Sequence, residues 1–229
     1  DDTDKNMNLK ERPIARAKLI GGRLCLDFTN TVGGRRAKSP ATMARVGGYS
    51  VRDERLADYC DLLAWSFRVG LLTEGAARKL GHEAKLREAE AAGVCERAVA
   101  LREAIYRISL AVISRTQPRA VDLELLNREL AIAHDHVKLA LDEEGYFVWR
   151  WDAARDALDQ MLWRIADSAA EMLTACDLTR LHQCGGQDCG WLFEDTSRNR
   201  SRQWCDMQDC GNLAKVRRFR SRLKSENQF

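Results

Sequence analysis

The chain is poor in the residues and motifs on which most enzymes depend. It has four histidines in 229 residues, with no Gly-x-Ser-x-Gly elbow, phosphate-binding loop or dinucleotide fingerprint. His134 and His136 flank one aspartate, but no third ligand is apparent, so we interpret them as loop histidines. We therefore expect a protein that acts by binding and is not an enzyme.

Long apolar runs are absent as well. No stretch approaches the roughly 18 apolar residues of a membrane span, and the charged first residues do not resemble a signal peptide. With 229 residues, of which 45% are hydrophobic, the chain suits one main domain and a small satellite. We expect a cytoplasmic protein without a membrane partner.

Four of the eight cysteines form two closely spaced pairs, Cys184 with Cys189 and Cys205 with Cys210. Two such pairs supply the four thiolates of a closed tetrahedral zinc site. Two disulfides, or four unrelated thiols, are the alternatives, but paired spacing in a cytosolic chain favours metal. We predict one structural Zn²⁺ that folds this segment and has no open position for catalysis. The remaining cysteines are predicted to be core thiols: Cys25, Cys60, Cys95 and Cys176.

Positive charge is concentrated around and after the paired cysteines. Residues 198–229 carry nine basic and three acidic side chains, which is +6 (9 − 3), whereas the whole chain is +3. This asymmetry favours a polyanion as the partner of the C-terminus. The side chains predicted to contact nucleic acid are Arg198, Arg200, Arg202, Lys215, Arg217, Arg218, Arg220 and Arg222.

A helix is predicted from about Asp209 to Lys224. Val216, Phe219 and Leu223 fall on one face of it, and we expect this stripe to dock on a zinc-module hairpin that carries Trp191 and Phe193. The arginines on either side would then be presented to phosphate.

Three other functions stay open for the C-terminal segment. Trp191, Phe193 and Trp204 are candidate stacking platforms for RNA, although aromatic residues beside zinc more often pack the small core. Alternatively, the arginines meet an acidic protein, or oxidation of the zinc thiolates releases the metal and acts as a redox switch.

Two stretches resemble one family. The run from Trp204-Cys205 to Cys210-Gly211-Asn212, continuing through Arg218, resembles the CGNR zinc finger of bacterial proteins described as stress-induced transcription regulators. Near the other end, Gly21 to Val32 (GGRLCLDFTNTV) is similar to the opening motif of their N-terminal ABATE domain. The cysteine pattern is specific, and the N-terminal motif moderately so. The resemblance implies a regulator of transcription with a C-terminal zinc finger.

The sequence departs from this pattern at one position. The family name spells Cys-Gly-Asn-Arg, but Leu213 stands where the arginine is expected. Arginine offers a fixed fork of donors for phosphate or a base edge, and leucine offers none. We expect Leu213 to extend the apolar stripe of the helix instead.

The N-terminal region is predicted to begin with a flexible arm, residues 1–17, followed by a strand over Leu24–Phe28. Asp27, Thr29 and Asn30 leave this strand together, so they are candidates for the floor of a ligand pocket. The preferred interpretation is that Asn30 and Thr31 close the strand with side-chain hydrogen bonds. The segment from Gly33 to Gly48, which includes Arg35, is predicted to be a mobile basic loop.

Helical spacing dominates the middle of the chain. Helices are predicted from Asp53 to Gly70, from Thr73, over about 94–115 and 122–134, and over about 154–177 with a strong apolar stripe. A β-hairpin is predicted around the turn Asp142–Gly145.

Taken together, these patterns predict a mainly α chain with small β-hairpin elements. We expect the arm at 1–17, an ABATE-like regulatory domain at 18–178 and a zinc module at 179–229. The predicted function is DNA-binding regulation of transcription, with an unknown small-molecule or protein signal acting on the helical domain. One short basic helix has little reach, so a homodimer is also considered.

Overall fold

The computed structural model describes residues 8–37, 49–50, 53–152 and 157–226. It is mainly helical with short antiparallel strand pairs, as predicted. The helices are α1 (Leu24–Thr29), α2 (Tyr59–Arg68), α3 (Glu74–Leu86), α4 (Glu88–Ile113), α5 (Ala120–His134), α6 (Gln160–Ala175) and α7 (Asn212–Glu226). The strands are β1 (Val32–Gly33), β2 (Arg36–Ala37), β3 (Tyr49–Ser50), β4 (Asp53–Glu54), β5 (Val137–Leu141), β6 (Phe147–Trp151), β7 (Leu181–Gln183) and β8 (Leu192–Glu194).

The segment predicted as a strand at Leu24–Phe28 is the helix α1, so that prediction is wrong. Cys25, Leu26 and Phe28 are all fully buried, because α1 is enclosed by α4, α6 and β8. Residues buried on nearly every side leave no amphipathic pattern, and a five-residue window with apolar alternate positions then imitates a strand.

The main core lies between α1, α2, α4 and α6. Phe28 packs against Trp65 of α2, with ring centroids 5.0 Å apart. The apolar stripe predicted for α6 is confirmed, because Leu162, Ile165 and Ala169 are fully buried. The helix itself is shorter than predicted, and residues 154–156 of the predicted span lie outside the described residues.

Helix α2 begins later than predicted. Asp53 and Glu54 form the strand β4, and the helix starts at Tyr59 after Asp58, whose side chain accepts a hydrogen bond from the amide of Asp61. The cap predicted at Thr73 is confirmed, since its side chain accepts from the amide of Ala76 at 3.2 Å. Local capping groups therefore set both helix starts.

The described part of the predicted flexible arm, residues 8–17, is packed onto the domain. Leu9, Ile14 and Ala17 are buried, and Arg12 forms ion pairs with Asp58 and Asp61 at 2.8 and 2.7 Å. The prediction of a flexible arm is therefore wrong for residues 8–17. The three buried side chains anchor this segment, although they occur at irregular spacing in the sequence. Residues 1–7 lie outside the described residues.

The predicted loop from Gly33 to Gly48 begins with ordered structure. Strand β1 pairs with β4, and β2 pairs with β3, both antiparallel. The remainder of that prediction, residues 38–48, lies outside the described residues. Arg35, which was predicted to be part of a basic mobile loop, is instead buried.

The predicted β-hairpin is confirmed as β5 and β6, which pair from Val137 with Trp151 to Leu141 with Phe147. Gly145 adopts φ +85° in the turn, a conformation that glycine takes without steric cost. This hairpin stands out from the helical core, and several of its large apolar side chains are exposed.

The C-terminal module follows α6 after a short 3₁₀ turn, Leu178–Arg180. Strands β7 and β8 form its hairpin. A π-helical turn, Met207–Gly211, then leads directly into α7, and the side chain of Asp206 accepts the amide of Gln208 at its start. This arrangement places the last paired cysteine, Cys210, at the base of the basic helix.

Candidate metal centre and basic helix

The structure brings Cys184, Cys189, Cys205 and Cys210 into one cluster. Their sulfur atoms all lie within 4.8 Å of one another. The Sγ atoms of Cys189 and Cys205 are 3.5 Å apart, and those of Cys205 and Cys210 are 3.6 Å apart. All eight cysteines of the chain are free thiols, so the disulfide alternative finds no support.

The loop after Cys184 is shaped to approach the sulfur atoms closely. The amides of Gly186 and Cys205 donate to the Sγ of Cys184 at 3.4 and 3.2 Å. A Cβ at position 186 would lie 3.0 Å from the Sγ of Cys210 and 3.4 Å from that of Cys184. Glycine is required here because any side chain would enter the cluster.

The electrostatics of the cluster favour a thiolate at Cys184, whereas the pKa values of Cys189, Cys205 and Cys210 are raised. Hydrogen bonds from Cys189 and Cys205 lower the pKa of Cys184 to about 2, and backbone amides add to that effect. The same contacts raise the pKa of Cys205, because the protons are shared within one cluster. At neutral pH the cluster therefore holds negative charge that a cation would neutralise.

This donor set fits one Zn²⁺. Zinc–thiolate bonds of about 2.3 Å in a tetrahedron place the sulfur atoms about 3.8 Å apart, close to the separations observed. Four thiolates leave no position on the ion for water or substrate. The ion would instead hold together the end of β7, the loop from Cys184 to Cys189 and the π-helical turn.

Three ion pairs fix the base of α7. Arg217 on its second turn lies 3.3 Å from Asp188 in the cysteine loop. Lys18 lies 2.5 Å from Asp206 and 2.6 Å from Asp209 on the other side of the π-helical turn. The helix is thereby attached at its first turns and extends from the module.

Beyond this base, the described side chains of α7 are exposed. Lys215, Arg217, Arg218, Arg220 and Arg222 all face solvent, and residues 212–223 include no acidic side chain. The predicted docking of the apolar stripe is wrong, because Val216, Phe219 and Leu223 are 45%, 63% and 43% exposed. Other groups already cover the hairpin on which that stripe was expected to pack.

The three arginines before α7 differ from those on it. Arg202 donates to the carbonyls of Ile20 and Cys205 and lies 4.2 Å above the Phe193 ring, so it is part of the module's interior. Arg200 pairs with Asp177 at 3.1 Å. Arg198 is exposed. Among these basic residues, Arg202 and Arg200 thus serve the fold, whereas Arg198, Lys215, Arg218 and Arg220 are exposed.

The aromatic residues of the module serve packing. Phe193 is fully buried, and the Nε1 of Trp191 donates to the carbonyl of Val32 at 2.7 Å. The ring of Trp204 lies against Gly185, where a Cβ would be 3.1 Å away. This arrangement matches the core-packing alternative and gives no support to an open stacking platform.

Asp27, Thr29 and Asn30 are held by hydrogen bonds of the fold. The carboxylate of Asp27 accepts the amide of Gly21 at 2.8 Å, and burial raises its pKa. Thr29 donates to the carbonyl of Leu26. Asn30 hydrogen-bonds to the main chain of Leu192 in the zinc module. All three are structural, and Asn30 joins the two parts of the chain.

A cavity of about 580 Å³ lies instead beside the cysteine cluster. Its walls come from both parts of the chain, with Asp53 and Arg55 on one side and Trp191, Trp204 and Arg217 among those on the other. Sequence reasoning did not find it, because these residues are far apart in the chain and share no motif.

Sequence reasoning also missed a partly buried ionic network within the helical domain, beside the zinc module. Arg35 pairs with Glu103 at 2.6 Å, and Arg102 pairs with Glu54 at 2.6 Å. Burial opposes the charge of Arg102, but its contacts with Glu54 and Glu103 together outweigh this, and its pKa is raised.

The network reaches the cysteine loop through backbone contacts. The amide of Arg35 donates to the carbonyl of Cys189 at 3.3 Å. The hydroxyl of Tyr106 donates to the carbonyl of Gly190 at 2.9 Å. Gly190 has φ +74°, and a Cβ there would lie 2.7 Å from that of Arg35. The helical domain and the zinc module are therefore in close main-chain contact.

The fold and site together define a class: a helical domain joined to a four-cysteine zinc module that ends in an exposed basic helix. Comparison with family models places the chain more narrowly. Residues 22–175 match the ABATE model, described as "Putative stress-induced transcription regulator", and residues 180–223 match the CGNR zinc finger. The chain belongs to the ABATE family and carries a CGNR zinc finger, as the sequence resemblance predicted.

A comparison with curated proteins finds no match. Among the described residues, the four cysteines are the one group of three or more side chains placed to hold a metal. His136 stacks on Trp163 with ring centroids 3.8 Å apart. Within the described part of the chain, no helix is both long and apolar enough to cross a membrane.

Proposed function

We propose that this protein regulates transcription by binding DNA through α7. The observation that carries the proposal is the exposed, unmixed positive charge of this helix, which stands on a site built to be fixed by zinc. Arginine and lysine neutralise phosphates and release counterions, which supplies sequence-independent affinity. The protein acts by binding and catalyses no reaction.

The zinc site has a mechanical part in this proposal. Zinc bound by four thiolates would fix the π-helical turn and hence the direction in which α7 leaves the module. A helix that is held at its base loses less conformational freedom on binding than a detached basic tail would. Chelation would therefore weaken DNA binding without removing any of the charged side chains.

The helical domain is the proposed receiver of the regulatory signal. It contacts the zinc module through Asn30, Arg35 and Tyr106, so a change in its packing would be felt at the cysteine loop. A regulator of this kind works in the cytoplasm, where reducing conditions also keep the thiolates available for zinc.

The proposed contact is tested with R218A/R220A, measured by fluorescence anisotropy against a labelled random duplex. Both side chains are exposed and lie beyond the ion-paired base of α7. We expect affinity to fall by at least about tenfold and the salt slope to decrease by about 2. The matched control is R68A/R128A, which removes the same charge from exposed positions on α2 and α5.

Equal binding by R218A/R220A and the wild-type protein would remove α7 from the mechanism. The same titration with single-stranded DNA and with RNA decides between nucleic acids. Tighter binding of RNA than of duplex DNA would replace the proposed function with RNA binding.

A further inference from the structure

The β5–β6 hairpin carries an apolar surface that nothing in the described chain covers. Leu139 pairs with Trp149 and Leu141 with Phe147, so these four side chains lie on one side of the ribbon. They are 54–74% exposed. We call this set the hairpin face. Soluble monomers seldom expose a contiguous apolar patch of this kind without a binding role.

The hairpin face has an acidic end. The turn beside Leu141 and Phe147 contains Asp142, Glu143 and Glu144, and both glutamates are exposed. Asp142 is part of the turn itself, because its carboxylate accepts the amides of Glu144 and Tyr146 at 3.0 and 2.8 Å. The two glutamates have no such duty, so they are available for a basic partner.

Helix α7 carries the complementary surface. Leu213, Val216, Phe219 and Leu223 are 43–63% exposed and form one stripe, which we call the helix stripe. Lys215, Arg218, Arg220 and the other exposed basic side chains of α7 lie around it. One surface is thus apolar with acidic residues, and the other is apolar with basic residues.

The two surfaces also match in size. The helix stripe spans eleven residues, so its ends lie about 15 Å apart along the helix, and a five-residue strand is about 16 Å long. With Tyr146 included, the exposed parts of these side chains amount to roughly 1,000 Å² per copy, against about 800 Å² per partner in a stable interface.

We propose that two copies of this chain form a dimer in which the hairpin face of each copy covers the helix stripe of the other. The contact is made twice about a twofold axis, with Glu143 and Glu144 directed to the arginines of α7. Charge selects this pairing, because two α7 helices or two hairpin turns brought together would oppose like charges.

The dimer proposal does not rest on the proposed DNA contact, but the dimer would compete with that contact. The acidic turn and the phosphates of DNA would use the same arginines, so dimerisation covers α7 and DNA binding releases it. The test is therefore made without DNA, and its outcome does not depend on the outcome of the DNA titration.

The experiment measures the mass of the zinc-loaded protein by sedimentation equilibrium over a wide concentration range. We expect a monomer–dimer equilibrium. The charge reversals E143R/E144R and R218E/R220E are each expected to raise the dimer dissociation constant by at least about tenfold. Mixing the two variants restores dimerisation, because in the mixed dimer both contacts again join opposite charges.

The control reversal E96R/E124R makes the same charge change as E143R/E144R on exposed residues of α4 and α5 and should leave the dimer intact. A further variant, F147T/W149T, removes exposed apolar area while keeping residues suited to a strand, and it should be monomeric with unchanged zinc content. A monomer at all concentrations, a larger assembly, or no restoration in the mixture would overturn the proposal.

Discussion

The side chain of Asn30 forms two hydrogen bonds with the main chain of Leu192, 162 residues later in the sequence. Its Nδ2 donates to the carbonyl at 2.8 Å, and its Oδ1 accepts the amide at 2.9 Å. Asn30 is thus paired with the edge of β8 as another strand would be. The contact is buried, and it ties the end of α1 to the zinc module.

Asn30→Ala removes both partners of Leu192 and leaves a buried amide and carbonyl unpaired. We expect it to lower the free energy of unfolding by about 2–4 kcal/mol and to weaken DNA binding as the module loosens. Urea unfolding followed by tryptophan fluorescence measures the loss. Asn127→Ala, at an exposed position on α5, is the control, and an equal effect of the two substitutions would contradict the structural assignment.

Cys205→Ser removes one of the four predicted zinc ligands. We expect loss of the bound metal and loosening of the C-terminal module, with the helical domain still folded because the four cysteines belong to a separate small core with Phe193. Elemental analysis and circular dichroism check both parts. Cys60→Ser, a thiol on α2 away from the cluster, should keep one zinc per chain; an unchanged zinc content in Cys205→Ser would refute the assignment.

Gly186→Ala tests the shape of the cysteine loop without changing a ligand. The added methyl would lie 3.0 Å from the Sγ of Cys210 and 3.1 Å from the Cβ of Cys189, so the loop must shift. We expect zinc affinity to fall by at least about tenfold in a chelator competition. Gly75→Ala on α3 meets nothing within 4 Å and should instead stabilise the protein, by about 0.5–1 kcal/mol.

Lys18 and Asp206 give a prediction about pH. Their hydrogen bond is the main cause of a raised pKa for Lys18 and a lowered pKa for Asp206. The stability that the Asp206 carboxylate contributes is therefore present above its ordinary pKa of about 3.9. The stability that the Lys18 ammonium contributes is present below its ordinary pKa of about 10.4.

Lys18→Met should therefore lower the melting temperature of the zinc-loaded module by the same amount at pH 6 and at pH 9. The comparison with wild type at each pH cancels the effect of protons on zinc binding. If the difference in melting temperature between Lys18→Met and wild type were lost at either pH 6 or pH 9, the ion pair would not supply the stability assigned to it.

Leu213→Arg restores the residue that the family pattern has at this position. Leu213 is 56% exposed on the first turn of α7, so an arginine there is accommodated and adds one cation near the others. We expect tighter binding to random duplex DNA and a salt slope steeper by about 0.9. Leu213→Gln is the uncharged control, and equal affinities for the two variants would exclude a phosphate contact at this position.

The zinc centre was predictable because its ligands occur as two local pairs, each closed by a short loop. The long helices were predictable for a similar reason, since α4 and α6 bury one continuous stripe that can be seen in the sequence. Helix α1 was not, because its residues are buried on nearly all sides and its six residues are too few to show a helical period.

What joins the two parts of the chain could not be predicted. Arg35 and Asn30 are polar residues in a segment with the composition of a loop, and their partners are 68 and 162 residues away. Likewise, the stripe on α7 looks like a core stripe in the sequence. Only the structure shows that Arg202 and the N-terminal segment already occupy the hairpin on which it was expected to dock.

The most direct test of the central claim is DNA binding by the zinc-loaded protein before and after chelation, at two salt concentrations. We predict binding that weakens with salt and is reduced by chelation, because zinc holds the base of α7 while the charges remain. Zinc at one per chain with no measurable affinity for duplex DNA at either salt concentration would contradict it.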